Sequence, residues 1–295
     1  MKILVSYRGI PQSPGWATGD MVVKAFRALG HEAYPYAKYY QENRWVEGRP
    51  ALDSQDWDLI LFMECNDGDQ QYPELRITRA RKTACWLFDT SYQFDRWRRL
   101  ARYFSFDHYF LANPVTIGEY KVWGYDNVHY LPYACDRELH GRPLEHPKTH
   151  DLVLVGSIRD DRRDLARELT GHGLKLELIS DVFREDYIDA LASGKIVINQ
   201  NPDMGRGLLN MRFFEAQAAG TIVFTEMADL EVNMTAGLMH MCNFVPYRTV
   251  EDIVTGHASA QGSNIQRGQE LVFEHHTYQN RCEDILNTVF PYERD

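Results

Sequence analysis

Short apolar, β-favouring runs alternate with amphipathic helical segments along the whole chain, and few folds accommodate that pattern. Lys2–Tyr7, His31–Tyr36, Trp57–Met63, Thr83–Phe88, Asp107–Ala112 and Val128–Leu131 read as strands. Thr18–Leu29, apolar at Met21, Val22, Ala25, Phe26 and Leu29, and Val115–Trp123 read as helices among them. Strands and helices alternating at this length build βαβ units around a parallel sheet. Pro132, Gly141, Pro143 and Pro147 then fall in an aperiodic polar stretch, which predicts a linker near 134–149. Beyond it the alternation restarts. Strands are predicted at Asp151–Val155, Leu174–Ile179, Lys195–Asn199 and Thr221–Thr225. Helices are predicted at Asp161–Thr170, Glu185–Ala192, around Arg212, over Val250–His257 extended by Gln266–Phe273, and at Tyr278–Val289. The expectation is two α/β domains with a cleft between them, and ligands beyond the carboxyl ends of the strands.

Composition narrows the class. At 295 residues the chain is long enough for two cores. Its opening apolar run soon meets Arg8, which predicts a first strand and not a signal peptide. No apolar run approaches the ~20 residues of a membrane span. Cysteines 65, 85, 135, 242 and 282 are odd in number and lack C-x-x-C spacing, so reduced buried thiols in a cytoplasm are expected, with no zinc site or disulfide. The net charge of −10 argues against polyanionic partners. Yet Arg76, Arg79, Arg81, Lys82, Arg96, Arg98, Arg99 and Arg102 face only Asp89 and Asp95 within their segment, a local basic patch interleaved with aromatics. Such a segment can steer a polyanion and stack on bases; equally, it can be two amphipathic helices with solvated arginines.

The stretch Asp203–Gly220 carries most of the chemistry. Gly205, Arg206 and Gly207 form a glycine loop opening through Asn210 and Met211 onto a helix bearing Arg212 and Glu215. Free amides and the positive end of a helix suit a phosphate. An ionised Glu accepts hydrogen bonds only and suits a ribose diol. Together they predict a nucleotide. Arg212 and Glu215 could instead form an ordinary surface pair, although the helix around them is apolar almost all round and a buried carboxylate needs a partner.

Other strand ends add candidates. Gly156 and Ser157, followed by Arg162, could wrap a diphosphate, or form a plain tight turn. Gly15 and Gly19 would let a ligand approach the backbone closely, or merely turn the chain into a helix capped by Thr18. Asp20, Glu64, Asp67, Asp69 and Asp89 are acids expected to face the cleft. Asp89 directly follows a buried strand and is the first candidate for a general base, with Asp20 second; capping is the competing role.

These elements together resemble the CgeB-like (spore-maturation) glycosyltransferases of the two-Rossmann-domain GT-B class, within the glycosyl transferases group 1 family. The resemblance runs through Val155–Ser157 with Arg162, Tyr187, Ser193–Asn199, Asn210–Gly220, Val250–Ile253 and His276–Arg281. It is weaker in Gly30–Glu32 and in Gly124–Pro132 with Asp136. It implies an α/β GT-B fold, two Rossmann-like domains with parallel sheets facing a central cleft: an N-terminal acceptor-side domain over 1–140, a donor-binding domain over 141–276, and a closing helix over 277–295. It implies a nucleotide-sugar such as a UDP-sugar as donor, with neither cofactor nor metal. Glu215 would hold the ribose, while Arg162, Arg212 and the Gly205–Gly207 amides would hold the diphosphate. Gly15, Gly156, Ser157, Arg206, Asn210 and Met211 complete the expected donor set. Many related retaining enzymes carry a second Glu where this chain has Gly207, so the stereochemistry does not carry over.

The leading expectation is therefore a metal-independent hexosyl- or pentosyltransferase. Its acceptor hydroxyl could belong to a saccharide, a protein, a small molecule or a modified base in DNA. Arg96, Trp97 and Arg99 in the basic patch are the candidate acceptor contacts. A nucleotide-sugar epimerase or hydrolase, or a silent nucleotide-sugar-binding protein, would use the same fold.

Overall fold

The computed structural model describes residues 1–9, 15–41, 44–48, 56–63, 79–88, 105–201, 208–235, 244–260 and 264–291. The chain divides into two compact units, Met1–Pro132 with Tyr278–Asp295, and Tyr133–Thr277.

The first unit is built on β1 (Lys2–Arg8), α1 (Thr18–Ala28), β2 (Glu32–Gln41), β3 (Arg44–Gly48), β4 (Trp57–Met63), β5 (Ala80–Leu87), β6 (His108–Leu111), α2 (Ile117–Val122) and β7 (Val128–Tyr130). Its sheet order is β3-β2-β1-β4-β5-β6-β7. Every pairing is parallel except β2 with β3, a hairpin partner the sequence pattern did not announce. β4 and the second half of β5 are buried on both faces, which explains their nearly continuous apolar runs. The order reverses between β1 and β4, so the β1–α1 turn lies at a switch point of the sheet.

The second unit comprises α3 (Arg137–His140), β8 (His150–Val155), α4 (Asp160–Gly171), β9 (Leu176–Ile179), α5 (Glu185–Ser193), β10 (Gly194–Asn199), α6 (Met211–Ala218), β11 (Ile222–Glu226), α7 (Met227–Thr235), β12 (Phe244–Tyr247), α8 (Val250–Ser259) and α9 (Ile265–His275). All pairings in its sheet, β12-β11-β10-β8-β9, are parallel. The order reverses between β8 and β10, and the strand ends there are Val155-Gly156 and Asn199-Gln200. α10 (Tyr278–Val289) returns to the first unit and packs on α1.

Some expectations are revised. The helix predicted across Val250–Phe273 is two helices, because Asn264 caps a new start by accepting from Arg267 N at 2.9 Å. The aperiodic segment near 134–149 is structured within the second unit. Asp136 caps α3 by accepting from Glu138 N and Leu139 N, and Cys135 N donates to His276 O at 2.9 Å. Cys85, Cys135 and Cys282 are buried thiols; Cys65 and Cys242 lie outside the described residues. No described helix is long and apolar enough to cross a membrane.

Candidate functional site

At the β8–β10 switch point two arginines converge over one glycine. Gly156 has φ +134°, a conformation open to glycine because it lacks a Cβ. A Cβ there would stand 2.7 Å from Arg212 Nη2 and 3.2 Å from Arg162 Nη1. Arg162 comes from the first turn of α4 and donates to Ser157 O at 2.6 Å and Gln200 O at 2.9 Å. Arg212 comes from the start of α6 and donates to Asn199 Oδ1 at 3.2 Å. Among the described residues neither guanidinium has a carboxylate partner, and both Nε atoms are buried without an acceptor. Burial, then the neighbouring Arg212 and Arg159 charges, lowers the Arg162 pKa to about 10, still cationic at neutral pH. A buried and a half-buried cation, with no carboxylate bonded to either among the described residues, are unfavourable side by side until an anion arrives.

Arg212 and Glu215 do not pair directly. Tyr187 of α5 stands between their roles: its hydroxyl donates to Glu215 Oε2 at 2.7 Å and also interacts with Arg212. Burial and the Glu215 charge push that phenol well above its ordinary pKa. The other oxygen, Glu215 Oε1, lies 3.7 Å from His140 Nε2. His140 Nδ1 accepts from Asp136 N at 2.9 Å, so in the neutral ring the proton sits on Nε2 and points towards Glu215. Glu215 is only 3% exposed, and two long-range partners fix its orientation.

A polar layer continues along the strand ends. Asn199 Nδ2 donates to Thr225 Oγ1, and Asn201 Nδ2 donates to Asp229 Oδ2 at 3.0 Å and to Leu208 O. Asn210, the residue before α6, donates to Asn201 Oδ1, and its own Oδ1 is buried with no donor among the described residues. Met211 opens the helix. Tyr247, at the end of β12, has a buried hydroxyl with no hydrogen-bond partner among the described residues. Burial, Glu226 and Asp229 raise its pKa, opposed by Arg162 and Arg212.

The structure thus brings Gly156, Ser157, Arg162, Asn210, Met211, Arg212 and Glu215 into one unit, at or beside its switch point. Gly15 lies in the first unit, where its N–H donates to Asp20 Oδ2 at 3.0 Å. Asp20 Oδ2 also accepts from Ala17 N at 3.2 Å, and Oδ1 accepts from the Tyr7 hydroxyl. Its carboxylate therefore holds the turn into α1, in which Thr18 follows the Ala17 cap position. Gly205, Arg206, Gly207, Asp89, Glu64, Asp67, Asp69, Arg96, Trp97 and Arg99 lie outside the described residues. Of the basic segment, Arg79, Arg81 and Lys82 are described, at the entering end of β5; Arg81 pairs with Asp58 at 3.2 Å. No group of three His, Cys, Asp or Glu side chains among the described residues is placed to hold a metal.

His140, Asn199, Asn201 and Tyr247 were not anticipated. His140 sits in the aperiodic stretch, where only the Asp136 cap four residues earlier marks a helix.

The model of a family described as glycosyl transferase-like matches residues 137–287, just over half of the chain. No curated protein sequence matches significantly. Solved structures similar in fold include AviGT4, a glycosyltransferase involved in avilamycin A biosynthesis (14% identity, 97% of this chain and 96% of that one, TM-score 0.60). Alr3699/HepE of Anabaena in complex with UDP-glucose is similar at 10% identity, covering 97% and 98%, with TM-score 0.59. A DNA-modifying β-glucosyltransferase is similar at 9% identity, covering 97% and 98%, with TM-score 0.54. At these identities the likeness is one of fold, the two-unit GT-B architecture.

Proposed function

Because the chain belongs to the glycosyl transferase-like family, we propose that it moves a sugar from a nucleotide-sugar donor to an acceptor hydroxyl, with the donor held by the second unit. The observation that carries this reading is the convergence over Gly156 of buried Arg162 and half-buried Arg212, neither bonded to a carboxylate among the described residues. A diphosphate supplies the missing charge and accepts from both guanidinium groups. The same contacts strengthen as the nucleoside diphosphate departs, which is the electrostatic task of the reaction. Glu215, oriented by Tyr187 and His140, accepts the ribose diol with its remaining lone pairs. Ser157 and Asn210 lie beside these groups, and the unsatisfied Asn210 Oδ1 is available to a donor on the ligand. Asp89 is the proposed base for the acceptor hydroxyl, whereas the three hydrogen bonds on Asp20 suit it to positioning.

A thermal-shift panel of UDP-, GDP-, CDP- and dTDP-sugars tests the donor assignment, since a ligand of the folded state raises the melting temperature by mass action. UDP-glucose comes first, because HepE of similar fold was solved with it. One panel member should raise the midpoint, and Arg212→Ala should weaken its binding about 10- to 100-fold, as loss of a charge-assisted hydrogen bond does. If no nucleotide-sugar shifts the wild type, the donor site is wrongly assigned.

A modified base in DNA is the acceptor supported by the basic segment Arg76–Arg102, and the fold accommodates such chemistry in the DNA-modifying β-glucosyltransferase. The base would be flipped out before transfer. Duplex binding should then fall steeply with salt; absent or salt-independent binding leaves a saccharide, protein or small-molecule acceptor.

A further inference from the structure

A cavity of about 350 Å³ opens at the end of the second sheet opposite the arginine pair, lined by Lys148, Asp151, Lys195, Ile196, Ile222, His257, Ala260 and Ile265. It sits where β8, β10 and β11 begin, whereas Gly156, Asn199 and Thr225 mark where they end. Ile196, Ile222 and Ala260 are buried and Ile265 half-buried, giving an apolar lining. The polar groups are unevenly committed. Lys195 Nζ is 2.6 Å from Asp151 Oδ1, an exposed pair. Lys148 Nζ donates to Ala192 O and Gly220 O, both at 2.8 Å. An ammonium carries three N–H donors, so one remains on Lys148 with no acceptor among the described residues.

We propose that this cavity binds a small amphipathic carboxylate, its head on the third Lys148 N–H and its alkyl or aryl body against Ile196, Ile222, Ala260 and Ile265. The size is at the lower end of ligand pockets, which suits a body of six or seven carbons by rough comparison. An uncharged ligand could accept from Lys148 but would leave its charge unmet, and a cation would meet two lysines against one carboxylate. Burial lowers the Lys148 pKa to about 8. Asp151, Lys195 and His257 are the other titratable groups lining the cavity. Carboxylate binding therefore weakens as pH rises through about 8, where the ammonium is lost.

The test is calorimetric titration of the full chain with hexanoate and benzoate, using hexan-1-ol and benzyl alcohol as uncharged counterparts. At least one acid should bind saturably and about tenfold or more tightly than its alcohol. Binding should persist in saturating UDP and drop about tenfold between pH 7 and pH 9. Lys148→Met should abolish the preference for the acid. Because Lys148 also ties two backbone carbonyls, Lys195→Glu provides a second variant at an exposed position; it should weaken the acid and leave the alcohol unchanged. Equal affinity for acid and alcohol, absence of saturable binding, or displacement by UDP would overturn the proposal.

Discussion

At the residue scale, Tyr187 is the test of how Glu215 is held. Among the described residues, its hydroxyl and His140 face a carboxylate that is 3% exposed. Tyr187→Phe removes the donor and leaves Glu215 Oε2 buried without one, which costs about 1–3 kcal/mol. Urea unfolding should show that loss, and the nucleotide-sugar affinity should fall with it because the carboxylate is no longer oriented. Unchanged values on both counts would show that the hydroxyl holds nothing. Arg162, Arg212 and Glu215 were legible in sequence because each stands at a fixed distance from a strand end or glycine turn. Their partners were not. Tyr187 lies 28 residues from Glu215 and His140 lies further still, and no local pattern reports a contact across such a separation. The glycine loop at 205–207 was legible as a motif, but the geometry that decides its role lies outside the described residues.

At the element scale, Gly19 lies in the first turn of α1 and has a packing role there. A Cβ on Gly19 would lie 2.0 Å from Tyr7 Cγ, so the glycine lets α1 sit directly on β1. In an exposed helix Gly→Ala stabilises by roughly 0.5–1 kcal/mol. Here the sign should reverse. Gly19→Ala must displace a ring that is buried and bonded to Asp20, a loss of about 1–3 kcal/mol by overpacking. A raised melting temperature would refute that packing. The edge of the same sheet carries a titrating pair: His108 Nδ1 and His129 Nε2 are 3.3 Å apart on β6 and β7. Burial, then His129 and Lys82, lowers the His108 pKa, with Asp107 opposing; burial and Lys121 lower that of His129. Protons therefore bind the unfolded chain more readily. The stability tied to the neutral pair is present above about pH 6.5 and is lost as pH falls through the lowered folded values. Urea midpoints at pH 7.5 and 5.5 should differ less in His129→Gln than in wild type, and an equal difference would clear the pair of any such role. Most strands and helices were legible because their periodicity is strong. β3 and β12 were not, since each is short and depends on a neighbouring strand for its pairing, and α7 was not, since its apolar residues follow the helical period only weakly.

At the scale of the whole molecule, the chain completes its first unit with its last helix. Tyr278–Val289 could be read from sequence to its ends, because apolar residues at Tyr278, Cys282, Ile285 and Val289 follow a helical period. The placement of the unit boundary at Tyr133 was less legible, since the Pro-rich segment looks like linker while Cys135 is bonded to His276 within the second unit. Arg281 Nε donates to Pro132 O at 3.0 Å, Trp86 meets Tyr278 edge-on, and α10 packs along α1. Those contacts join sequence positions more than a hundred residues apart, so the first unit cannot form from residues 1–132 with its native core covered. Full burial of a large apolar side chain contributes about 1.5–3 kcal/mol, and Tyr278, Ile285 and Val289 together rival the roughly 5–15 kcal/mol that stabilises an ordinary domain. A chain ending at Thr277 should therefore lose the first unit and keep the second. Hydrogen exchange separates the two: amides of β1 and β4 should exchange at near-unfolded rates in the truncated chain, while those of β8 and β10 stay protected. Adding Tyr278–Asp295 back as a peptide should restore protection to β1 and β4. Protection of β1 in the truncated chain without the peptide would show that the first unit stands without α10.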